Sequence, residues 1–562
     1  MENKNVYDLK SAKMPYLAGG LLSVFVSLVE GPLGGLLIPS LLHSAGVDWL
    51  RQQVIDEAPT PQPIHFTGLL ATKDSAVPEK EWPQSTVVDG RGFHFATVFD
   101  YAKAYRDGVT TPEEVAKKLL DAIETSNAST PPLCAVIAMD RDDVMKQARE
   151  ATQRIKAGKP LSIFDGVPVA VKDELDMLPY PTTAGTSFLG KSPAKEDATV
   201  VARMRAAGAL LVGKTNMHEI GINVTGLNPR HGTTRNPYNT GHFTGGSSSG
   251  SAAAIAAGLV PVALGADGGG SIRIPASFCG VFGLKATYGR VSEHGAAPLC
   301  WSVAHVGPLA GTATDAALTY AVMAGPDLRD PNSLHQPLPT LESWDQLNLR
   351  GIKLGVYKPW FDHADPEVVA ACEHMLKRLT DMGAEVREVV IPDLELNRVA
   401  QAVTILAEMA QAMSYSHAEH HREHGLDVRL NLTLGRAFNS QDYTLAQRAR
   451  TRIITNFNRA LKEVDMIITP TTAIAAPPIP KDALPNGNSD LTTTTEIMRF
   501  VTAPNMTGLP AISFPVGYTK NGLPIGMQAI GRPWQENVLL RLAVNAEQAV
   551  ERKEPQVHYK IL

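Results

Sequence analysis

The sequence predicts an α/β protein built on a large, mixed β-sheet, and three observations carry that reading. From about residue 160 the chain alternates short apolar runs with helical patterns. Between strand-like runs at 353–357 and 464–469, the region from about 365 to 460 reads as mainly helical. The composition, 44% hydrophobic and 19% charged, is that of a globular chain able to bury a large core.

Taken in order, the elements begin with an apolar N-terminus. The segment from Lys13 to Val47 contains an uncharged run, Met14 to Val29, that is shorter than the ~20 residues a helix needs to span a bilayer. Gly31-Pro32 breaks it, and the second piece, Leu33 to Leu42, is shorter still. A secretory signal is not expected, because the apolar stretch starts late, is broken and shows no cleavage site. Two short apolar helices around a Gly-Pro hinge are expected instead. They can lie in a membrane interface, cover a second subunit or cap the core. Residues 55–92, rich in proline and polar residues, read as a connecting segment. A helix is then predicted from Pro112, with Thr111 as its cap and Glu114 completing a capping box. Val115, Leu119, Leu120 and Ile123 follow at helical spacing. Strands are predicted at Val167–Val171, Ala209–Val212 and Val260–Leu264, and helices at Ala198–Ala207 and Ser249–Ala257.

Charge and cysteines narrow the function classes. The 52 basic and 57 acidic residues leave a net charge of −5, which argues against a nucleic-acid partner, since that needs a clustered basic surface. Cys134, Cys279, Cys300 and Cys372 are scattered, with no Cys-x-x-Cys pair, so neither a thiolate metal site nor a disulfide framework is expected. A reducing compartment is the simpler setting.

Three segments carry chemistry. Lys172 ends the apolar run Val167–Val171. A lysine held there can be desolvated and act as an uncharged base, or it can simply reach solvent. The run Thr244–Ser251 centres on Ser247 and Ser248 and leads straight into a helix of alanines. It reads either as a flexible linker or as a close backbone approach before a helix N-terminus. The run Gly265–Pro275 places Gly268, Gly269, Gly270 and Ser271 after a strand, where consecutive backbone N–H groups can converge on an oxyanion. Its plainer reading is a glycine-rich turn. His417, His420, His421 and His424 fit a solvated helix end better than a metal site.

In this order the three segments resemble the amidase signature family. The resemblance covers about residues 95–540 and includes Gly213–Glu219, Thr233–Pro237, Thr469–Thr472 and Gly508–Ile512. It implies the family fold, a large mixed sheet flanked by helices on both faces. It also implies a catalytic domain over residues 93–562, with residues 1–92 as an N-terminal helical extension. Ser271 is then the nucleophile, Ser247 a proton relay preceded by a cis Gly246–Ser247 bond, and Lys172 the base. The N–H groups of Gly268, Gly269, Gly270 and Ser271 hold the oxyanion. Ser248, Asp267 and Arg273 support the loop. Neither a cofactor nor a metal is expected.

The N-terminal pattern from Lys13 through Glu30 to Gly34 narrows the resemblance to the plant-type fatty acid amide hydrolase branch. So do Phe99–Tyr105, Asp482–Gly487, Met498–Val501 and Tyr559–Leu562. That branch implies hydrolysis of N-acylethanolamines to a fatty acid and ethanolamine. It also implies a homodimer on an intracellular membrane, the endoplasmic reticulum or the plasma membrane. A soluble amidase acting on small aliphatic or arylacetamide substrates, or an amidotransferase A subunit, fits the apolar N-terminus less well. A non-catalytic interaction module fits poorly with intact Lys172, Ser247 and Ser271.

Overall fold

The computed structural model describes residues 7–11, 14–65 and 91–562. Among these, one sheet of eleven strands organises the chain. The first part supplies β1 (Val136–Ala138), β2 (Pro168–Lys172), β3 (Leu210–Thr215), β4 (Val262–Ala266), β5 (Phe282–Lys285) and β6 (Val306–Ala310). The second supplies β7 (Lys353–Val356), β8 (Glu385–Glu388), β9 (Met466–Pro470), β10 (Ala511–Tyr518) and β11 (Pro524–Gly531). Across the sheet the order is β8-β7-β9-β11-β10-β5-β6-β4-β2-β3-β1. The sheet is mixed: β2 runs parallel to β3 and β4, and β7 runs parallel to β8 and β9. The central strands pair antiparallel.

The residues explain the layers. Every position of β2, β4, β6 and β9 is buried. Successive side chains leave a strand on opposite faces, so these strands are covered on both sides. That is why Val167–Val171 reads as a continuous apolar run and not as an alternation. The strand expected at Val260–Leu264 starts two residues later, after Pro261, which has no N–H for a ladder. β3 runs on past Val212 through Gly213, where a Cβ would stand 2.2 Å from the Ala138 carbonyl of β1. A glycine there lets the edge strand approach. β8, a charged and mostly exposed edge strand, carries no apolar signal.

The helices used below are α1 (Gly19–Glu30), α2 (Gly34–Ala45), α3 (Pro112–Ala128), α4 (Ser249–Ala256), α5 (Arg273–Phe278), α6 (Leu394–Ala412), α7 (Leu426–Ala437) and α8 (Ser440–Glu463). α3 starts where its capping box requires. The Glu114 carboxylate accepts from the Thr111 N–H at 2.9 Å, and Thr111 Oγ1 accepts from the Glu114 N–H at 3.3 Å. α4 is buried along its whole length and packs backbone against backbone. A Cβ on Gly250 would meet the Ala135 carbonyl at 2.2 Å.

The N-terminal extension is both cap and exposed face. α1 and α2 meet at 109° across the Gly31–Leu33 break, and no single described helix is long and apolar enough to cross a membrane. Leu22, Val26 and Val29 pack on Leu426 and Leu430 of α7. Leu21 and Leu36, 74% and 77% exposed, point the other way, with Val24 and Leu33 beside them. Leu42, Val47, Leu50 and Ile55 join the core formed by α6 and α8. The connecting segment 55–92 lies largely outside the described residues. Its beginning runs along α8, where the Pro61 carbonyl accepts from Arg450 at 2.6 Å.

Leu22→Asp places an unpaired carboxylate in the α1–α7 contact, at a cost of several kcal/mol. Limited proteolysis is expected to cut this variant between residues 19 and 34 while the rest of the chain stays resistant. Unchanged digestion would show that α1 is not held by this contact.

Candidate active site

β2 and β4 are parallel neighbours, with Val169 opposite Val262 and Val171 opposite Leu264. Their C-terminal ends therefore reach one edge of the sheet together. Lys172 closes β2 and Ala266 closes β4. The Lys172 side chain does not reach solvent: it is 1% exposed. Its Nζ donates to Ser247 Oγ at 2.9 Å and to the Ala266 carbonyl at 3.2 Å.

Ser247 follows a cis Gly246–Ser247 bond. Its carbonyl accepts from the His218 N–H at 3.1 Å. Ser248 anchors the start of α4 to β4, donating from Oγ to the Ala266 carbonyl at 3.1 Å. Its N–H donates to the Ser271 carbonyl at 3.2 Å, which ties the two serine segments together. Among the described residues no hydrogen bond joins Ser247 Oγ and Ser271 Oγ. The connection from Lys172 thus runs through a side chain to Ser247 and through the backbone to Ser271.

The loop after β4 is held from inside. Asp267, fully buried, accepts from Arg273 Nε at 2.9 Å and Nη2 at 3.0 Å. It also accepts from the N–H groups of Gly270 at 2.6 Å and Ile272 at 3.1 Å. Asn505 donates to its side chain at 2.9 Å, and Gln528 of β11 accepts from Arg273 at 2.5 Å. Burial pushes the Asp267 carboxyl up. The Arg273 charge and hydrogen bonds, with Asn505 and Lys285, outweigh that and hold it well below the usual carboxylate range. From α6, Gln401 Nε2 donates to the Gly268 carbonyl at 2.7 Å.

This network corrects one expectation. The Gly270 N–H donates to Asp267 and is not free for an oxyanion. Gly270 serves the loop by its shape: its φ is +114°, and a Cβ would stand 2.5 Å from Val501. The N–H groups of Gly268, Gly269 and Ser271 donate to no acceptor among the described residues, so they are the donors available to a bound oxyanion.

Ser271 and Gly269 open on a cavity of about 190 Å³. Its surface is mostly apolar, with Ile405, Leu406, Leu430 and Met498 on the wall, and Lys10, Arg398, Asp427 and Arg499 also line it. Leu430 also packs beneath α1, so the cavity reaches the helix that carries the N-terminal extension.

Several residues of the site escape the sequence reading. Gln401, Asn505 and Gln528 lie more than a hundred positions from the loop they brace, with no local signal. Glu174 is nearer, two residues after Lys172, in the turn where the Leu175 N–H donates to the Lys172 carbonyl at 3.0 Å. Its Oε2 lies 2.7 Å from Lys172 Nζ. His424 is not at a solvated helix end. It is buried, and its Nδ1 hydrogen-bonds Glu219 at 2.5 Å.

A mixed sheet that brings a buried lysine, a cis-linked serine and a glycine loop to one edge defines an amide-hydrolysing enzyme: the chain belongs to the amidase family, whose model matches residues 114–540. Within that family it is similar to the fatty acid amide hydrolases of plants. It is 41% identical to that of Oryza sativa subsp. indica over 589 residues, covering 99% of this chain and 96% of the relative. It is 40% identical to that of Arabidopsis thaliana over 585 residues, with the same coverage. Among solved structures, the native peptide amidase of Stenotrophomonas maltophilia superposes with a TM-score of 0.71 at 28% identity, covering 82% of this chain and 98% of that one.

Asp267→Asn is nearly isosteric but leaves Arg273 buried without its counter-charge. Breaking such a pair costs about 3–5 kcal/mol. Urea unfolding is expected to show a loss of that size, and a loss under about 1 kcal/mol would mean that Asn505 and Gln528 suffice to hold Arg273.

Proposed function

We propose that this enzyme hydrolyses N-acylethanolamines to a free fatty acid and ethanolamine, through an acyl-enzyme on Ser271. The observation that carries the substrate class is the apolar cavity leading from Ser271 to α7, beneath the exposed apolar face of α1 and α2. The match to the plant enzymes over 99% of the chain, extension included, agrees with it.

In this reading Ser271 Oγ attacks the amide carbonyl and passes its proton to Ser247, which passes its own to an uncharged Lys172. A serine hydroxyl is a weak nucleophile until a neighbour removes its proton. The existing Lys172–Ser247 contact supplies the second half of that path. The first half takes a hydrogen bond from Ser271 Oγ to Ser247 Oγ. The N–H groups of Gly268, Gly269 and Ser271 receive the oxyanion, where one donor is typically worth ~10²–10³ in rate. The proton returns by the same route to the departing amine. Water then repeats the attack on the ester and releases the fatty acid.

The outer face of α1 and α2 is assigned to a membrane surface, from which a lipid amide enters. A homodimer on an intracellular membrane is the assembly that this reading carries with it.

Purified protein is expected to turn over a long-chain N-acylethanolamine with a kcat/KM well above that for a short aliphatic amide. Ser271→Ala is expected to lose about 10⁴-fold or more in kcat while keeping the native melting curve. Equal or better turnover of the short amide would overturn the lipid reading, and turnover by Ser271→Ala within about tenfold of the wild type would remove Ser271 as nucleophile.

Replacing Leu21, Val24 and Leu36 together by Ser strips apolar area from the exposed face. Co-sedimentation with phosphatidylcholine vesicles is expected to fall about tenfold or more. Unchanged co-sedimentation would assign the face to something other than lipid.

A further inference from the structure

The proton path through Lys172 leaves one close neighbour of that lysine unused. Glu174 is 6% exposed, and its carboxylate sits 2.7 Å from Nζ. Three oxygens thus surround the amine: Ser247 Oγ, the Ala266 carbonyl and Glu174 Oε2. An uncharged amine has two N–H groups and one lone pair. Only an arrangement that occupies both N–H groups elsewhere leaves the lone pair facing the Ser247 hydroxyl. The Ala266 carbonyl takes one N–H, and the Glu174 carboxylate attracts the other. With three N–H groups the amine donates to all three oxygens; with two, and without Glu174 to take one of them, it can keep donating to Ser247, which is the wrong direction for a base. Once the proton arrives, the same carboxylate balances an ammonium that would otherwise be a lone buried charge.

Glu174 faces a second cavity, of about 220 Å³, which shares no wall residue with the one at Ser271. Glu293, His294, Cys300, Arg329 and Asp330 line it from the loops after β5 and before β7. Glu408 of α6 acts on the same group of acids. Burial first, then Asp330, Glu174 and Glu408, push the Glu293 carboxyl well up.

We infer that Glu174 is the positioning residue of the Lys172 amine: its carboxylate aims the lone pair at Ser247 and balances the ammonium formed when the proton arrives. This rests on the proton path from Ser271 through Ser247 to Lys172. In each half-reaction one proton moves from Ser271, or from the attacking water, to Lys172 and then back to the leaving group. Glu174 neither gains nor loses one.

The test is the pH profile of the full-length enzyme with Glu174→Gln, measured on an acyl-p-nitroanilide so that the outcome does not depend on the lipid reading. Removing the carboxylate takes away the counter-charge of the ammonium, so the acid limb of kcat/KM is expected to move to lower pH. The maximal kcat is expected to fall about tenfold or more with KM unchanged, because the lone pair is no longer aimed. Glu174→Asp, which keeps the charge but withdraws it by one methylene, is expected to recover part of kcat with the limb near its wild-type position. A folded Glu174→Gln with wild-type kcat and limb overturns the inference. So does one that loses kcat with the limb unmoved, since that is what a purely structural residue gives. If Glu174→Gln does not fold, Glu174→Asp decides by itself: wild-type kcat overturns the inference, and a lowered kcat at constant KM supports it. Failure of the underlying path is separable, because Lys172→Ala or Ser271→Ala would then retain turnover.

Discussion

The structure of this enzyme depends on one buried ion pair. Asp267 and Arg273 lie at opposite ends of the glycine loop and close it into a ring, with Asn505 and Gln528 filling their remaining hydrogen bonds. A buried pair of this kind is favourable only when its lone pairs and protons are well used, and here Arg273 makes four hydrogen bonds, two of them to Asp267. The ring fixes where the loop leaves β4 and where α5 begins. It therefore fixes Ser271, which sits inside it. Gly268 is pinned from the far side by Gln401, so the loop is clamped between the sheet and α6.

The second constraint is the edge at which β2 and β4 end. Because the strands are parallel and adjacent, their last residues share a neighbourhood without any loop having to reach. Ala266 uses its carbonyl twice, toward Lys172 and toward Ser248. That single acceptor links the lysine to the first turn of α4. The small residues of α4 then allow the helix to lie against β2, β3 and β4 at backbone distance. The geometry at this edge follows from close packing, since Ser, Gly and Ala at those positions are what let the layers meet.

The N-terminal extension adds a different kind of constraint. One face of α1 caps α7, and α7 walls the apolar cavity, so the extension and the cavity are coupled through one helix. A peptide amidase of the same fold aligns with 82% of this chain, whereas the plant relatives align with 99%.

By itself the sequence determined the features set by neighbours along the chain. The capping box at Thr111 and Glu114 is legible because cap and partner lie within one turn. The strand ending at Lys172 and the small-residue helix after Ser248 are legible for the same reason: pattern and packing face coincide locally. The serine and glycine runs are legible as a family resemblance, because their residue types recur in one order. What only the tertiary structure decided are the contacts between distant segments. Nothing near Lys172 says that its neighbours are Ser247 and Ala266, and nothing near Asp267 points to Asn505 or Gln528. Gly270 looks like an oxyanion donor until Asp267 is seen to take its N–H. His424 looks solvated until Glu219 is seen beside it. β8 shows no apolar pattern, because a charged edge strand is held by its ladder and not by burial. Hydrogen bonds and ion pairs across the fold depend on where chain segments meet in space, and residue type and spacing along the chain do not encode that meeting directly.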